Sequence, residues 1–320
     1  MGEQMRLAIG QFSTATDELL QFVRQLGVRD VLLNTAQLPG ETHWDYMDLL
    51  HLRTRIEDAG LRLAALENVP VGFYADAMLG LPGRDKQIDE MSTTIRNMGK
   101  AGIPILGYHW MPNGVWRTSR TTPGRGGAQV TSFDMALAAD APLTHGRVYT
   151  AEEMWANYRY YMQAILPVAE EAGVKLALHP DDPPVPSLGG VARIMGSFEG
   201  FKRAMEVGDS PNHGLDFCHG CWSEMGPGAL DAIRTFGPKI FYVHFRDVQG
   251  TVPKFQESFI EEGNNDMAEV LLALKQSGFT GFLIPDHVPH MVDDTPWGHR
   301  GRAYAIGYMK ALLQVVDRLS

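Results

Sequence analysis

The sequence predicts an α/β chain folded as a (β/α)8 or TIM barrel. Two observations carry this expectation. Eight short β-rich apolar runs alternate with longer segments of helical period, the unit count that such a barrel needs. Gly27, Gly60, Gly102, Gly173 and Gly278 each close a helical segment within a few residues of the next run, as the short connections of α/β units require.

The runs fall at 7–10, 31–34, 62–67, 103–109, 175–180, 214–218, 240–246 and 281–287. Several are apolar for three or four residues in succession, as expected of parallel strands buried on both faces. Between the first two, Leu19, Leu20, Phe22, Val23 and Leu26 keep the i, i+3, i+4, i+7 spacing of a one-sided helix. Over 153–173 the series Met154, Tyr158, Tyr161, Met162, Ile165 and Ala169 does the same. Thr150 followed by Glu153 predicts a capping box at its start, and Gly173 its stop. Thr295-Pro296 predicts the N-terminus of a last helix. A doubly wound open sheet is the alternative, but Gln11-Phe12-Ser13-Thr14 follows the first run where a glycine-rich phosphate loop would belong. Residues 110–149 show no clear periodicity and hold Arg117, Arg120, Arg125 and Arg147. A connection this long is usually functional, so the expected organisation is one barrel domain over 1–320 with an active-site loop inserted after the fourth strand.

Charge and cysteine usage narrow the function. The 320 residues carry 28 Lys+Arg against 38 Asp+Glu, a net charge of −10, which argues against nucleic acid as the main partner. The two cysteines, Cys218 and Cys221, provide no disulfide framework. Residues 1–10 lack a signal-peptide core, and Arg6 breaks the myristoylation pattern. No apolar run reaches the roughly 20 residues of a membrane span. The expectation is a reduced, cytoplasmic protein with a small-molecule partner and no nucleic acid or membrane, its state as a monomer or homo-oligomer left open.

In such barrels the active site lies at the C-terminal ends of the strands. The ends here read Glu67, Tyr108-His109, His179, Asp216-Phe217-Cys218, His244-Phe245-Arg246 and Asp286-His287. His179, Cys218, His244 and Asp286 come from four consecutive strands, whose spacing of roughly 4.8 Å lets four converging side chains enclose one ion. Two imidazoles, a thiolate and a carboxylate form a borderline-soft set that suits Mn2+, Fe2+, Co2+ or Zn2+ better than Mg2+ or Ca2+. Taken singly, each has a plainer role as a packed or hydrogen-bonded core residue. Cys218-His219-Gly220-Cys221 also fits C-x-x-C, but no second pair accompanies it, and Cys221 is placed outside the site.

These stretches carry a family resemblance. His179-Pro180-Asp181-Asp182-Pro183-Pro184, Gly189-Gly190-Val191-Ala192, Gly214-Leu215-Asp216-Phe217-Cys218-His219-Gly220, Val243-His244-Phe245-Arg246-Asp247, Phe255-Gln256-Glu257-Ser258-Phe259 and Pro285-Asp286-His287 resemble the D-mannonate dehydratase family, metal-dependent barrels related in fold to xylose isomerase. Gly107-Tyr108-His109-Trp110-Met111-Pro112 is similar to that family's loop after strand four. The resemblance implies metal ligands at His179, Cys218, His244 and Asp286, Mn2+ as the ion, and loss of water from D-mannonate to give 2-keto-3-deoxy-D-gluconate. It places His287 on the catalytic histidine. The region of the family's catalytic tyrosine reads Trp297-Gly298-His299-Arg300-Gly301-Arg302-Ala303-Tyr304, which offers Tyr304 and His299.

Dehydrating a sugar acid removes a proton next to the carboxylate and expels the hydroxyl one carbon further on. An acid–base pair and a Lewis acid answer these needs. Arg246 and Arg117 are the expected carboxylate anchors, because a guanidinium offers a bidentate fork. His109, Trp110 and Glu257 are the other expected substrate contacts. A sugar isomerase or epimerase is the main rival; it commonly uses two metal-bound glutamates, and strands five to eight end in none. A zinc endonuclease would want a basic groove, and a sugar-binding protein without turnover is the non-enzymatic alternative.

Overall fold

Each apolar run becomes a strand because its side chains are buried on both faces. The computed structural model describes residues 4–318, so part of the 1–10 stretch read for targeting signals lies outside the described residues. The strands are β1 (Arg6–Phe12), β2 (Asp30–Asn34), β3 (Arg62–Glu67), β4 (Ile105–Tyr108), β5 (Lys175–Leu178), β6 (His213–Cys218), β7 (Ile240–His244) and β8 (Phe282–Ile284). All eight pair in parallel and close in the order β1-β8-β7-β6-β5-β4-β3-β2. Ala8, Leu32, Ala65, Ala177, Tyr242, Phe282 and Ile284 fill the lumen, and a larger apolar cluster joins the outer faces to the helices. The open-sheet alternative is thereby excluded.

The helix Ala151–Ala172 begins as expected: Thr150 and Glu153 form a reciprocal capping box, and Gly173 ends it in the left-handed region. The last helix corrects the expected start. It spans His299–Arg318, and its first turn is capped by Asp294, which accepts from the Arg300 and Gly301 amides, and by Thr295, which accepts from that of His299. Gly298, at φ +83°, separates Thr295 from the helix. No described helix is long and apolar enough to cross a membrane.

The segment after β4 is ordered. Ser119–Pro123 and Gln129–Asp134 form a hairpin, which pairs antiparallel with a second hairpin, Val248–Thr251 and Lys254–Glu257, beyond β7. Phe133 packs on Phe255 between them, ring centroids 6.0 Å apart. This four-stranded sheet brings Arg117 and Glu257, 140 residues apart in sequence, into contact.

Candidate metal centre and active site

Parallel registry sets the strand ends side by side. Cys218 and His244 are register partners on β6 and β7, His179 follows β5, and Asp286 stands two residues beyond β8. Ligand atoms of His179, Cys218 and His244 all lie within 4.8 Å of one another. Asp286 Oδ2 lies 3.6 Å from one of them, His244 Nδ1. That Nδ1 is buried with no hydrogen-bond partner among the described residues, an arrangement expensive to keep without a ligand. His179 points Nδ1 at the Pro180 carbonyl, 2.6 Å away, and its other edge at Cys218. Burial alone would raise the Cys218 thiol, but a hydrogen bond from Cys221 and the positive charge of Arg246 and His179 outweigh it and hold the group well below the ordinary thiol value. A thiolate, two imidazoles and a carboxylate in one buried spot fit a divalent transition metal.

Cys221 is therefore more than a bystander: its sulfur serves the Cys218 thiolate and accepts from Arg246 Nη2 at 3.4 Å. Room for Arg246 comes from Gly220, where a Cβ would overlap the guanidinium.

His287 sits beside this cluster with 28 % of its side chain exposed. Its Nδ1 is 3.0 Å from Glu257 Oε1 and 3.1 Å from Arg117 Nη2, and Nε2 is 3.6 Å from Asp286 Oδ2. Its backbone is at φ +40°, a region that costs a non-glycine residue about 1–3 kcal/mol and recurs at functional sites. Gln11, Thr35 and Asn68 share this trait, each at the C-terminal end of a strand.

Arg117 and Arg246, the expected substrate anchors, are engaged within the protein. Arg117 donates through Nε to Thr131, through Nη1 to the Trp116 carbonyl and Asp182, and through Nη2 to Asp182, Glu257 and His287. Arg246 donates to Asp286, Glu224, Glu257, Asp182 and Cys221. Every N–H of each guanidinium is committed, so neither retains a free fork for a carboxylate. Glu257 is likewise enclosed by the two arginines and His287.

Three further expectations change. Trp110 is 1 % exposed and packs on Tyr158 and Tyr161, so it is core. Tyr304 is 40 % exposed; its hydroxyl donates to Glu261 and accepts from Arg125, and its ring meets Phe259. His299 spends Nδ1 on Thr295 at 2.6 Å and sets its ring edge-on to Phe22 and Trp297. Neither touches His287. His109 stays near the cluster: burial, then the charge of His179 and Arg193, push its imidazole down to about 3, and its Nδ1 accepts from the Met111 amide.

Sequence reading placed Glu67 and Asp216 at strand ends but not their pairing with His244. Glu67 Oε2 is 2.7 Å from His244 Nε2 and accepts from Tyr242, while Gln11 and Asn34 hold its Oε1. Asp216 Oδ2 lies 3.3 Å from the same Nε2, and burial raises that carboxyl well above its usual range. The available signal was the polar residue at the end of every strand, β1 and β2 included.

Comparison with known proteins decides the family. The D-mannonate dehydratase (UxuA) family profile matches residues 5–145 and 143–320. This chain belongs to the D-mannonate dehydratase family. It is 32 % identical to mannonate dehydratase 2 of Halalkalibacterium halodurans, over 93 % of each chain. It is 29 % identical to the mannonate dehydratase of Thermotoga maritima, over 94 % of each. The crystal structure of mannonate dehydratase from Streptococcus suis serotype 2 superposes with a TM-score of 0.91 at 29 % identity, covering 99 % of this chain and 95 % of that one. An L-ribulose 3-epimerase shares the fold at a TM-score of 0.62 and 17 % identity, covering 98 % of this chain and 96 % of that one.

Proposed function

We propose that the protein is a hydro-lyase that converts D-mannonate to 2-keto-3-deoxy-D-gluconate and water, with Mn2+ held by His179, Cys218, His244 and Asp286. The observation that carries this reading is the juxtaposition of His287, half-open and doubly oriented, with the converging donors His179, Cys218 and His244. When bound, the ion supplies Lewis acidity to substrate oxygens.

The residues of the chain supply the proton chemistry. Glu257 accepts from His287 when Nδ1 is protonated, which leaves the Nε2 lone pair free as a base. Arg117 donates to Nδ1 when it is not, which leaves Nε2–H as an acid. The same imidazole is thus supported in either role: taking the proton beside the carboxylate, or protonating the departing hydroxyl as water. Arg117 and Arg246 position His287 and Asp286 and neutralise the surrounding carboxylates. The isomerase or epimerase reading is less favoured, because Glu67 is the one glutamate among the strand ends named above and stands 2.7 Å from His244 Nε2. A thiolate ligand needs a reducing compartment, for which the cytoplasm is the natural setting.

The test is direct. Metal-stripped protein is incubated with a panel of aldonic acids with and without Mn2+, and 2-keto-3-deoxy acid is measured. Product from D-mannonate that depends on the ion is expected. A rearranged sugar with no loss of water would favour the epimerase, and no keto-deoxy acid from any substrate would sink the dehydratase.

A further inference from the structure

We infer that Glu67 is the positioning residue that presents His244 to the metal: it holds the imidazole with its proton on Nε2 and its Nδ1 lone pair turned toward His179, Cys218 and Asp286. The inference rests on the metal-dependent reading above.

A neutral imidazole has one donor and one acceptor. The His244 Nε2 faces the carboxylate oxygens Glu67 Oε2 at 2.7 Å and Asp216 Oδ2 at 3.3 Å, so the proton belongs there. Nδ1 has no hydrogen-bond partner among the described residues and lies on the side of the ligand cluster. A ligand histidine whose far nitrogen donates to a carboxylate is fixed in tautomer and orientation and is made a stronger donor.

Glu67 rather than Asp216 is suited to this work, because Glu67 is itself immobilised. Gln11 Nε2 at 3.0 Å and Asn34 Nδ2 at 2.9 Å hold Oε1, and the Tyr242 hydroxyl at 3.0 Å holds Oε2. These donors come from β1, β2 and β7, so three strands fix one carboxylate. Gly107 on β4 admits the arrangement, since a Cβ there would overlap the Tyr242 hydroxyl and crowd Glu67 Cγ. Among the described residues neither oxygen of Asp216 has a partner at full hydrogen-bond geometry, so it is held less firmly than Glu67.

The experiment uses the full chain, stripped of metal, as wild type, Glu67→Gln, Tyr242→Phe and Asp216→Asn. Each is titrated with Mn2+, read from the resonance signal of the free ion, and with Co2+, read from its visible bands. Circular dichroism checks folding. Glu67→Gln is expected to weaken Mn2+ binding about 10- to 100-fold and to shift the Co2+ bands. Tyr242→Phe, which frees Glu67 without removing it, is expected to lose affinity in the same direction but less, and carries the test if Glu67→Gln does not fold. Asp216→Asn is expected to bind Mn2+ as wild type does. Unchanged affinity in both Glu67→Gln and Tyr242→Phe, with wild-type turnover intact, overturns this inference alone, as does a loss in Asp216→Asn equal to that in Glu67→Gln. A wild-type chain that takes up neither ion overturns this inference and the metal-dependent reading together.

Discussion

Cys218→Ser is expected to abolish product formation and to weaken Mn2+ binding beyond the roughly 10- to 100-fold that loss of an outer partner costs. The substitution nearly keeps the volume of a fully buried side chain, so the barrel should remain folded. What changes is the donor. The Cys218 sulfur is held as thiolate against its own burial by Cys221, Arg246 and His179, and a serine hydroxyl stays protonated under the same influences. The loss also changes His179, which Cys218 chiefly pushes up to about 10 against its burial; without the thiolate, burial favours the neutral imidazole. Metal titration and a keto-deoxy-acid assay on the same preparation check the result. Wild-type turnover in the variant would remove Cys218 from the ligand set.

His287→Asn is expected to lower kcat by about 10²- to 10⁴-fold, the usual worth of one general acid–base group, while Mn2+ binding stays near that of wild type. Asparagine keeps a polar group near Glu257 Oε1 and Arg117 Nη2, the partners of Nδ1, but cannot exchange a proton at the open edge. Tyr304→Phe is the control: the tyrosine lies outside the cluster against Glu261 and Phe259, and its loss should leave kcat unchanged. Steady-state kinetics separate the cases. A rise in KM with unchanged kcat for His287→Asn would make the histidine a binding group only.

The parts of this molecule that were legible in the sequence are those with local signals. An apolar run ending in a histidine, cysteine or aspartate marks both a strand and its polar end, so all eight strands and the convergence of His179, Cys218 and His244 could be placed without coordinates. The surroundings of Arg117 and Arg246 were not legible, because an arginine's availability depends on partners remote in sequence. Arg117 is consumed by Asp182 and Glu257, 65 and 140 residues away. Trp110 looks identical in sequence whether it lines a sugar or, as here, the helix Ala151–Ala172. Residues 110–149 read as aperiodic because one of their two strands, Gln129–Asp134, pairs with 254–257, and an antiparallel edge built on a distant hairpin leaves only short, weak alternation in each segment. The expected start at Thr295 missed the last helix for a smaller reason: the capping residues are present, but a left-handed glycine delays the first turn.

The sheet that joins the two hairpins divides the molecule into parts of unequal stability. Its outermost strand, Ser119–Pro123, is largely open to solvent, whereas β6 and β7 are buried throughout. Segments with few buried contacts open sub-globally at a free energy below that of global unfolding. Amide hydrogens of 119–134 should therefore exchange with solvent before those of β6 and β7, under conditions where the barrel is intact. Each such opening takes Thr131 from Arg117 Nε and loosens the guanidinium that orients His287. The protein would then keep its barrel and its ligand cluster yet lose its competent imidazole, so its catalytic lifetime is set by the weakest cooperative unit and not by the fold that carries it.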